Sequence, residues 1–305
     1  YNPAGMERKL IYLINPISGT KNKERILDVI RERTEQHNIT YEILPTNPAG
    51  DYSYLKEKIE QEKITDIIIC GGDGTVNQVA QALLGVDVTF GIVPLGSGNG
   101  LALAAKIPPK TEKALDILFD GQPGFVDAFY INAAFSCVLS GIGFDALVAH
   151  QFARQTKRGL LTYVKETFKV FCNAAPYSFE INYEEGPFKT DAYFICIANA
   201  NQFGNNVTIA PKAILNDGLL DIVVVKKMNK LKMLWAVMNQ IRKGELHEYR
   251  ENILKKKNIL YFRSSRLTIH NPSLAPLHID GEPVDTAAHL AIEIIPNAFK
   301  LIQPV

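Results

Sequence analysis

Disulfide and zinc chemistry have little to work with in this sequence. Its four cysteines, Cys70, Cys137, Cys172 and Cys196, form no C-x-x-C pair and stand beside no histidine at zinc-finger spacing. Free, buried thiols in a reducing compartment are therefore expected rather than a disulfide framework. The histidines, His37, His150, His247, His270, His278 and His289, make no H-E-x-x-H and no close cluster, which argues against a catalytic zinc. No apolar run reaches the roughly 18 residues of a membrane-spanning helix, and no signal-peptide pattern is present, so the expected location is cytoplasmic. Tyr1 to Gly5, ahead of Met6, read as an expression remnant and carry no fold expectation. Charge of one sign is lacking too: 33 basic and 32 acidic side chains leave a net charge of +1. Without a global basic field no nucleic-acid partner is expected, and any membrane contact must be local. Ser97 has Leu95 two residues before it instead of the glycine of a G-x-S-x-G elbow, and no G-x-x-x-x-G-K-[ST] occurs. Hydrolase chemistry and a Walker-type nucleotide site are therefore unsupported.

What is present is 305 residues of ordinary globular composition, 47% apolar and 21% charged, enough for about two domains. The first part alternates short apolar runs with amphipathic segments. Residues 9–15, 40–44, 65–70 and 88–93 read as strands. Between them Ile26, Val29 and Ile30, then Tyr52, Leu55 and Ile59, then Val76, Val79, Ala80 and Leu83 recur at helical spacing. Such alternation predicts an α/β, Rossmann-like domain with a mostly parallel sheet over residues 7–123. Beyond it, residues 177–185, 191–199, 218–225, 266–271 and 289–295 alternate as antiparallel strands, with helical stretches near 145–172 and 229–243. This predicts a β-rich sandwich domain with helices over 124–296, with 297–305 returning to the first domain. No internal repeat or low-complexity segment is found.

Three glycine-rich loops follow strands of the first domain: "NPISGTK" (15–21), "GGDGT" (71–75) and "PLGSGNGLAL" (94–103). In a doubly wound sheet ligands sit beyond the carboxyl ends of the strands, where loops feed helix N-termini. Gly71, Gly72 and Gly74 can take positive φ and admit a phosphate to the main chain, and N–H groups opening a helix at Thr75 would supply donors. Ser18, Gly19, Lys21 and Ser97 offer further polar groups. A phosphorylated ligand accounts for three such loops better than three plain turns do. "GIGFDA" (141–146) fits the G-x-G-x-x-A pattern of dinucleotide sites, a weak match outside the alternating region.

Taken in order, "GGDGTVN", "GSGNGLA", "GIGFDALV", "DGLLDIVVV" and "HIDGEPV" resemble the diacylglycerol-kinase-like lipid kinases, a family that includes sphingosine and ceramide kinases. The resemblance runs from about Lys9 to Ile302. It implies an ATP-dependent phosphotransferase acting on a lipid alcohol, with the active site in an interdomain cleft. ATP would be bound by Asn15, Pro16, Ser18, Gly19, Lys21, Thr46, Gly71, Gly72, Asp73, Gly74, Thr75, Val76, Asn77, Gln78, Gly96, Ser97 and Asn99. Asp73 would serve the magnesium-phosphate network or the acceptor hydroxyl, and Glu282 would be the general base. Asp217, with the main-chain oxygens of Ile214 and Leu219, would hold a structural Mg2+; by itself "NDGL" is an ordinary Asp-Gly turn. Two carboxylates common in the family are missing, since Gln78 and Gly100 stand in their places.

Diacylglycerol is the default acceptor that the resemblance implies, with a sphingoid base or another lipid alcohol as the alternative. The segment 228–244 gathers Met228, Leu231, Leu234, Trp235, Met238 and Ile241 on one helical face amid Lys227, Lys230, Lys232, Arg242 and Lys243. It reads as a helix packed on the sandwich, or as a membrane-surface helix. Residues 150–171 are expected to wall the lipid entrance, and 254–258 to be a solvated basic run. Partners are ATP and a lipid alcohol presented at a membrane surface, with peripheral membrane contact and homodimerisation left open. An NAD kinase, which shares "GGDGT", and a non-catalytic lipid or nucleotide sensor are the rival readings.

Overall fold

The structure, a computed structural model, describes residues 7–14, 23–47, 49–153, 174–202, 208–227 and 258–305. The helices expected beyond Ala153 and over 229–243, and the basic run up to Lys257, lie outside the described residues. The chain forms two compact units, Tyr1–Asp127 with Pro296–Val305, and Ala128–Ile295.

In the first unit β1 (Lys9–Ile14), β2 (Thr40–Pro45), β3 (Asp66–Gly71) and β4 (Thr89–Pro94) form a parallel sheet in the order β2-β1-β3-β4. The end of β15 (His289–Gln303) continues it, Lys300 and Leu301 pairing in parallel with Thr89 and Phe90. Every residue of β3 and β4 is buried, as strands covered on both faces require. On one face Leu10, Tyr12, Ile68, Cys70 and Val93 pack with Ile30 of α1 (Lys23–Gln36) and with Leu115 and Leu118 of α5 (Thr111–Asp120). The alternate residues Ile11, Leu13, Ile67 and Ile69 are equally buried and, by the pleat, point to the opposite face. α2 (Tyr54–Glu62) and α3 (Asp73–Ala82) bury Leu55 and Ile59, and Val76, Val79 and Ala80. α4 (Gly100–Ala104) completes the unit's helices. α3 opens at Asp73, two residues earlier than expected, because Gly72 already takes the extended N-cap conformation.

Among the described residues the second unit is built of antiparallel strands and α6 (Phe144–Ala153). Its organiser is β9 (Gly186–Ala198), whose first half pairs with β8 (Tyr177–Tyr183). The second half of β9 pairs with β7 (Leu139–Gly143) on one side and β10 (Leu220–Lys226) on the other. One layer therefore runs β11 (Ile259–Ser264), β10, β9, β7, β13 (Leu277–Ile279), β14 (Glu282–Val284). The other runs β9, β8, β12 (Arg266–His270), β15, β5 (Gln122–Ile131), β6 (Ala134–Ser136). Ile195, Ile197, Ile222 and Ile142 from the first layer share one apolar core with Phe179, Ile181, Ile269 and Ile292 from the second. The alternation read at 289–295 is the buried–exposed alternation of β15, which continues as a single strand past Pro296, where Asn297 at φ +52 marks a kink.

Candidate functional site

The strand order places a switch point in the first unit. From β1 the chain moves to β2 on one side and then to β3 on the other, the reversal of strand order beside which open α/β sheets bind ligands. The register sets those ends level: Ile14 faces Pro45 and Cys70, and Gly71 faces Pro94. Thr46 follows β2 directly, buried, with its N–H donating to the Ile14 carbonyl at 3.1 Å. The loop carrying Asn15, Pro16, Ser18, Gly19 and Lys21 lies outside the described residues.

The two remaining glycine loops touch each other main chain to main chain. A Cβ on Gly96 would stand 2.5 Å from the Gly72 Cα, and one on Gly72 would stand 3.0 Å from the Gly96 Cα. A Cβ on Gly71 would meet the Thr75 side chain at 2.9 Å. The glycines are thus needed for close approach, and the expected positive φ is not used at Gly71, Gly72 or Gly74. The Thr75 N–H, expected to face a ligand, closes the helix start on the Gly72 carbonyl at 3.0 Å. Asp73 bridges the loops. Its carboxylate accepts from the N–H groups of Gly100 at 2.9 Å and Leu101 at 3.2 Å, which opens α4. Asn99, buried at φ +55, closes the second loop on itself, accepting from the Gly96 N–H and donating to the Gly96 carbonyl, both at 2.9 Å. Val76 is buried, whereas Asn77 is half-buried and Gln78 and Ser97 are exposed. The Gln78 amide lies against Gly50, at φ +72 in the loop after β2.

Glu282 belongs to the second unit. It is exposed, the first residue after a two-residue hairpin turn in which Asp280 and Gly281 have φ +48 and +86, the type I′ pattern that Asp-Gly favours. Asp280 does more than form the turn. Its carboxylate accepts from the Ser136 hydroxyl at 2.6 Å and from the N–H groups of Cys137, Val138 and Leu139 at 3.0 to 3.1 Å. Ser136 and the 137–139 segment carry no sequence motif that would have singled them out. "GIGFDA" is the turn from β7 into α6. Its second glycine, Gly143, takes φ +105, and a Cβ there would strike the Tyr193 carbonyl at 2.5 Å.

Asp217 lies in a turn with Gly218 at φ +73 and accepts from the Leu219 N–H and the Arg263 guanidinium, both at 3.1 Å. Ile214 is exposed. Asp221, four residues on, is buried, accepts from the Tyr261 hydroxyl through Oδ1, and leaves Oδ2 without a hydrogen-bond partner. Burial, helped by the neighbouring Asp217 charge, pushes the Asp221 carboxyl up to about 7. A divalent cation fits these donors, because it would meet the orphaned oxygen and offset the like charges, with Arg263 as the competing cation. Among the described residues no three His, Cys, Asp or Glu side chains gather as a metal cluster, and no helix is long and apolar enough to cross a membrane. Cys70, Cys137 and Cys196 are buried and in no disulfide, and burial holds the Cys196 thiol well above its ordinary range.

The diacylglycerol kinase catalytic domain family matches residues 9–131, and the YegS C-terminal NAD kinase beta sandwich-like domain family matches 137–303. A diacylglycerol kinase of Bacillus subtilis (strain 168) is 25% identical over 279 residues, covering 90% of this chain and 89% of its own length. A protein named probable lipid kinase YegS of Escherichia coli O17:K52:H18 (strain UMN026 / ExPEC) is 27% identical over 277 residues, with 88% of each chain covered. A crystal structure of a diacylglycerol kinase from Bacillus anthracis str. Sterne superposes with a TM-score of 0.77 at 22% identity, covering 99% of this chain and 98% of that one.

Proposed function

Because the chain belongs to the diacylglycerol-kinase-like lipid kinase family, phosphotransferases with an alcohol acceptor, we propose that it transfers the γ-phosphate of ATP to the hydroxyl of a lipid, with diacylglycerol as the default acceptor. The observation that carries this reading is the pair of glycine loops locked together at the carboxyl ends of β3 and β4, beside the switch point of the sheet. Phosphoryl transfer demands positioning and charge stabilisation more than covalent chemistry. Bare main chain from Gly72 to Asn77 and from Gly96 to Asn99 is suited to the triphosphate, with Thr46, Ser97 and the 15–21 loop completing the set. Asp73 is the carboxylate of these loops. Its carboxylate accepts from the Gly100 and Leu101 N–H groups, which fixes the second loop, and it would hold the magnesium that accompanies ATP. When bound, that ion neutralises charge on the phosphates.

Glu282 is the proposed base. It stands exposed on a turn whose other acid, Asp280, is taken up by the Ser136 hydroxyl, the Cys137 thiol and the N–H groups of Cys137, Val138 and Leu139. The lipid is presented from a membrane surface. A sphingoid base remains the alternative acceptor, favoured by "GSGNGLA". An NAD kinase is the rival that the second domain family's description raises.

Labelled ATP offered with a total lipid extract and, separately, with NAD tests the reading. Label is expected in one lipid class, lost with Glu282→Ala and with Asp73→Ala, both variants remaining folded. Phosphorylated NAD, or ATP binding with no transfer to any lipid, would overturn it.

A further inference from the structure

"GIGFDA" is left without a ligand by the proposed reaction, and its first glycine points to a different use. Gly141 pairs with His278 across β7 and β13. A Cβ at 141 would stand 1.8 Å from Asp145 Oδ2 and 2.6 Å from His278 Nε2. The missing side chain is thus the slot in which a carboxylate and an imidazole meet, Nε2 to Oδ2 at 3.5 Å, both residues buried. Asp145 is fixed there by the first turn of α6, its other oxygen accepting from the Ala146 N–H at 2.8 Å. The far nitrogen of the ring, Nδ1, accepts from the Gly281 N–H at 3.2 Å. Gly281 is the second residue of the turn that presents Glu282.

We infer that Asp145 and His278 are a positioning pair for Glu282. A ring nitrogen that accepts a hydrogen bond carries no proton, so the neutral ring holds its proton on Nε2, toward the carboxylate. Across 3.5 Å, through its charge and not through a hydrogen bond, Asp145 favours that tautomer, and the tautomer leaves Nδ1 available to the Gly281 N–H. Asp280 pins the turn from one side through the 136–139 segment, and His278 pins it from the other. Asparagine at 145 could donate to Nε2 and so favour the Nδ1–H tautomer, which would face the Gly281 N–H donor to donor and release the turn. The inference rests on the reading of Glu282 as the base, and its test separates the two.

The 15N chemical shifts of the His278 ring in the unmodified protein at neutral pH should report the Nε2–H tautomer; an Nδ1–H ring or an imidazolium overturns the inference without any variant. Asp145→Asn should switch the ring to Nδ1–H and lower turnover of labelled ATP into a lipid extract by about 10²-fold, the cost of a misplacement near 1 Å, with KM for ATP nearly unchanged. A switched tautomer with parental turnover, or a comparable rise in KM for ATP, overturns the positioning role. Glu282→Gln should be inactive with the ring still Nε2–H. An active Glu282→Gln removes Glu282 as the base and, with it, what the pair positions, while the tautomer result shows whether the pair itself exists.

Discussion

Asp221 carries an unusual burden for a strand residue, being fully buried on β10 with one oxygen unserved and Asp217 close enough to repel it. Desolvation is the larger cause of its raised pKa and the Asp217 charge the next. The folded protein therefore holds a proton that the unfolded chain has lost above its ordinary value of 3.8, so stability falls as pH rises from about 4 to about 7. A divalent cation bound by Asp217 and Asp221 would reverse that loss by favouring the ionised form. Adding Mg2+ without ATP should raise the thermal midpoint by a few degrees at pH 8, roughly what 1 kcal/mol produces, and hardly at all at pH 5. Asp217→Asn should abolish the increment; an equal rise at both pH values, or none at pH 8, would leave Arg263 as the sole counter-charge. The family resemblance pointed to Asp217, whose Asp-Gly turn by itself reads as an ordinary one. The sequence was silent on Asp221, whose neighbours Leu220, Ile222 and Val223 made it look like one polar position in a buried strand.

At the scale of elements, the glycine loops act as one unit because two main chains touch. A methyl group at 96 would overlap the Gly72 Cα and approach the Asn99 side-chain oxygen at 2.8 Å. Something must shift, and the movable parts are the Asp73 link to α4 and the Asn99 clasp. Gly96→Ala should destabilise the protein by about 1–3 kcal/mol, as overpacking commonly does, and weaken ATP binding more than Ser97→Ala does, since Ser97 is exposed. Thermal unfolding and nucleotide titration would check both, and parental values for Gly96→Ala would show that the loops can part freely. The loops were visible in the sequence as glycine density after apolar runs, and the glycines were read as allowing positive φ and the approach of a phosphate; the loop-to-loop contact was not read. Nothing local distinguishes these uses. In the same way β6, β13 and β14, three residues each, are too short for a period to emerge, so although "HIDGEPV" was legible as a motif, its link to Ser136 could be found only by tertiary pairing. β3, β4 and the sandwich strands were long enough to read directly.

For the whole molecule, the first unit is not a contiguous stretch of sequence. Its sheet gains its last strand from the chain's far end, where Phe299, Leu301 and Ile302 are buried and Phe90 packs its ring on Phe299 at 5.3 Å between centroids. The kink that directs this segment is held by the buried Asp127, which accepts from the Asn297 N–H at 2.7 Å. Burying three large apolar side chains contributes on the order of 5 kcal/mol, comparable with the entire stability of many domains. A chain cut after Ile295 should therefore lose most of the stability of its first unit, expose the edge of β4 and fail to bind ATP, although the sequence of every glycine loop is intact. Adding residues 296–305 as a peptide should restore part of the binding, because the lost strand pairs in parallel with β4 through its own main chain. A cut chain with the parental thermal midpoint and ATP affinity would mean that β4 tolerates an open edge and that the returning strand is dispensable to the nucleotide loops.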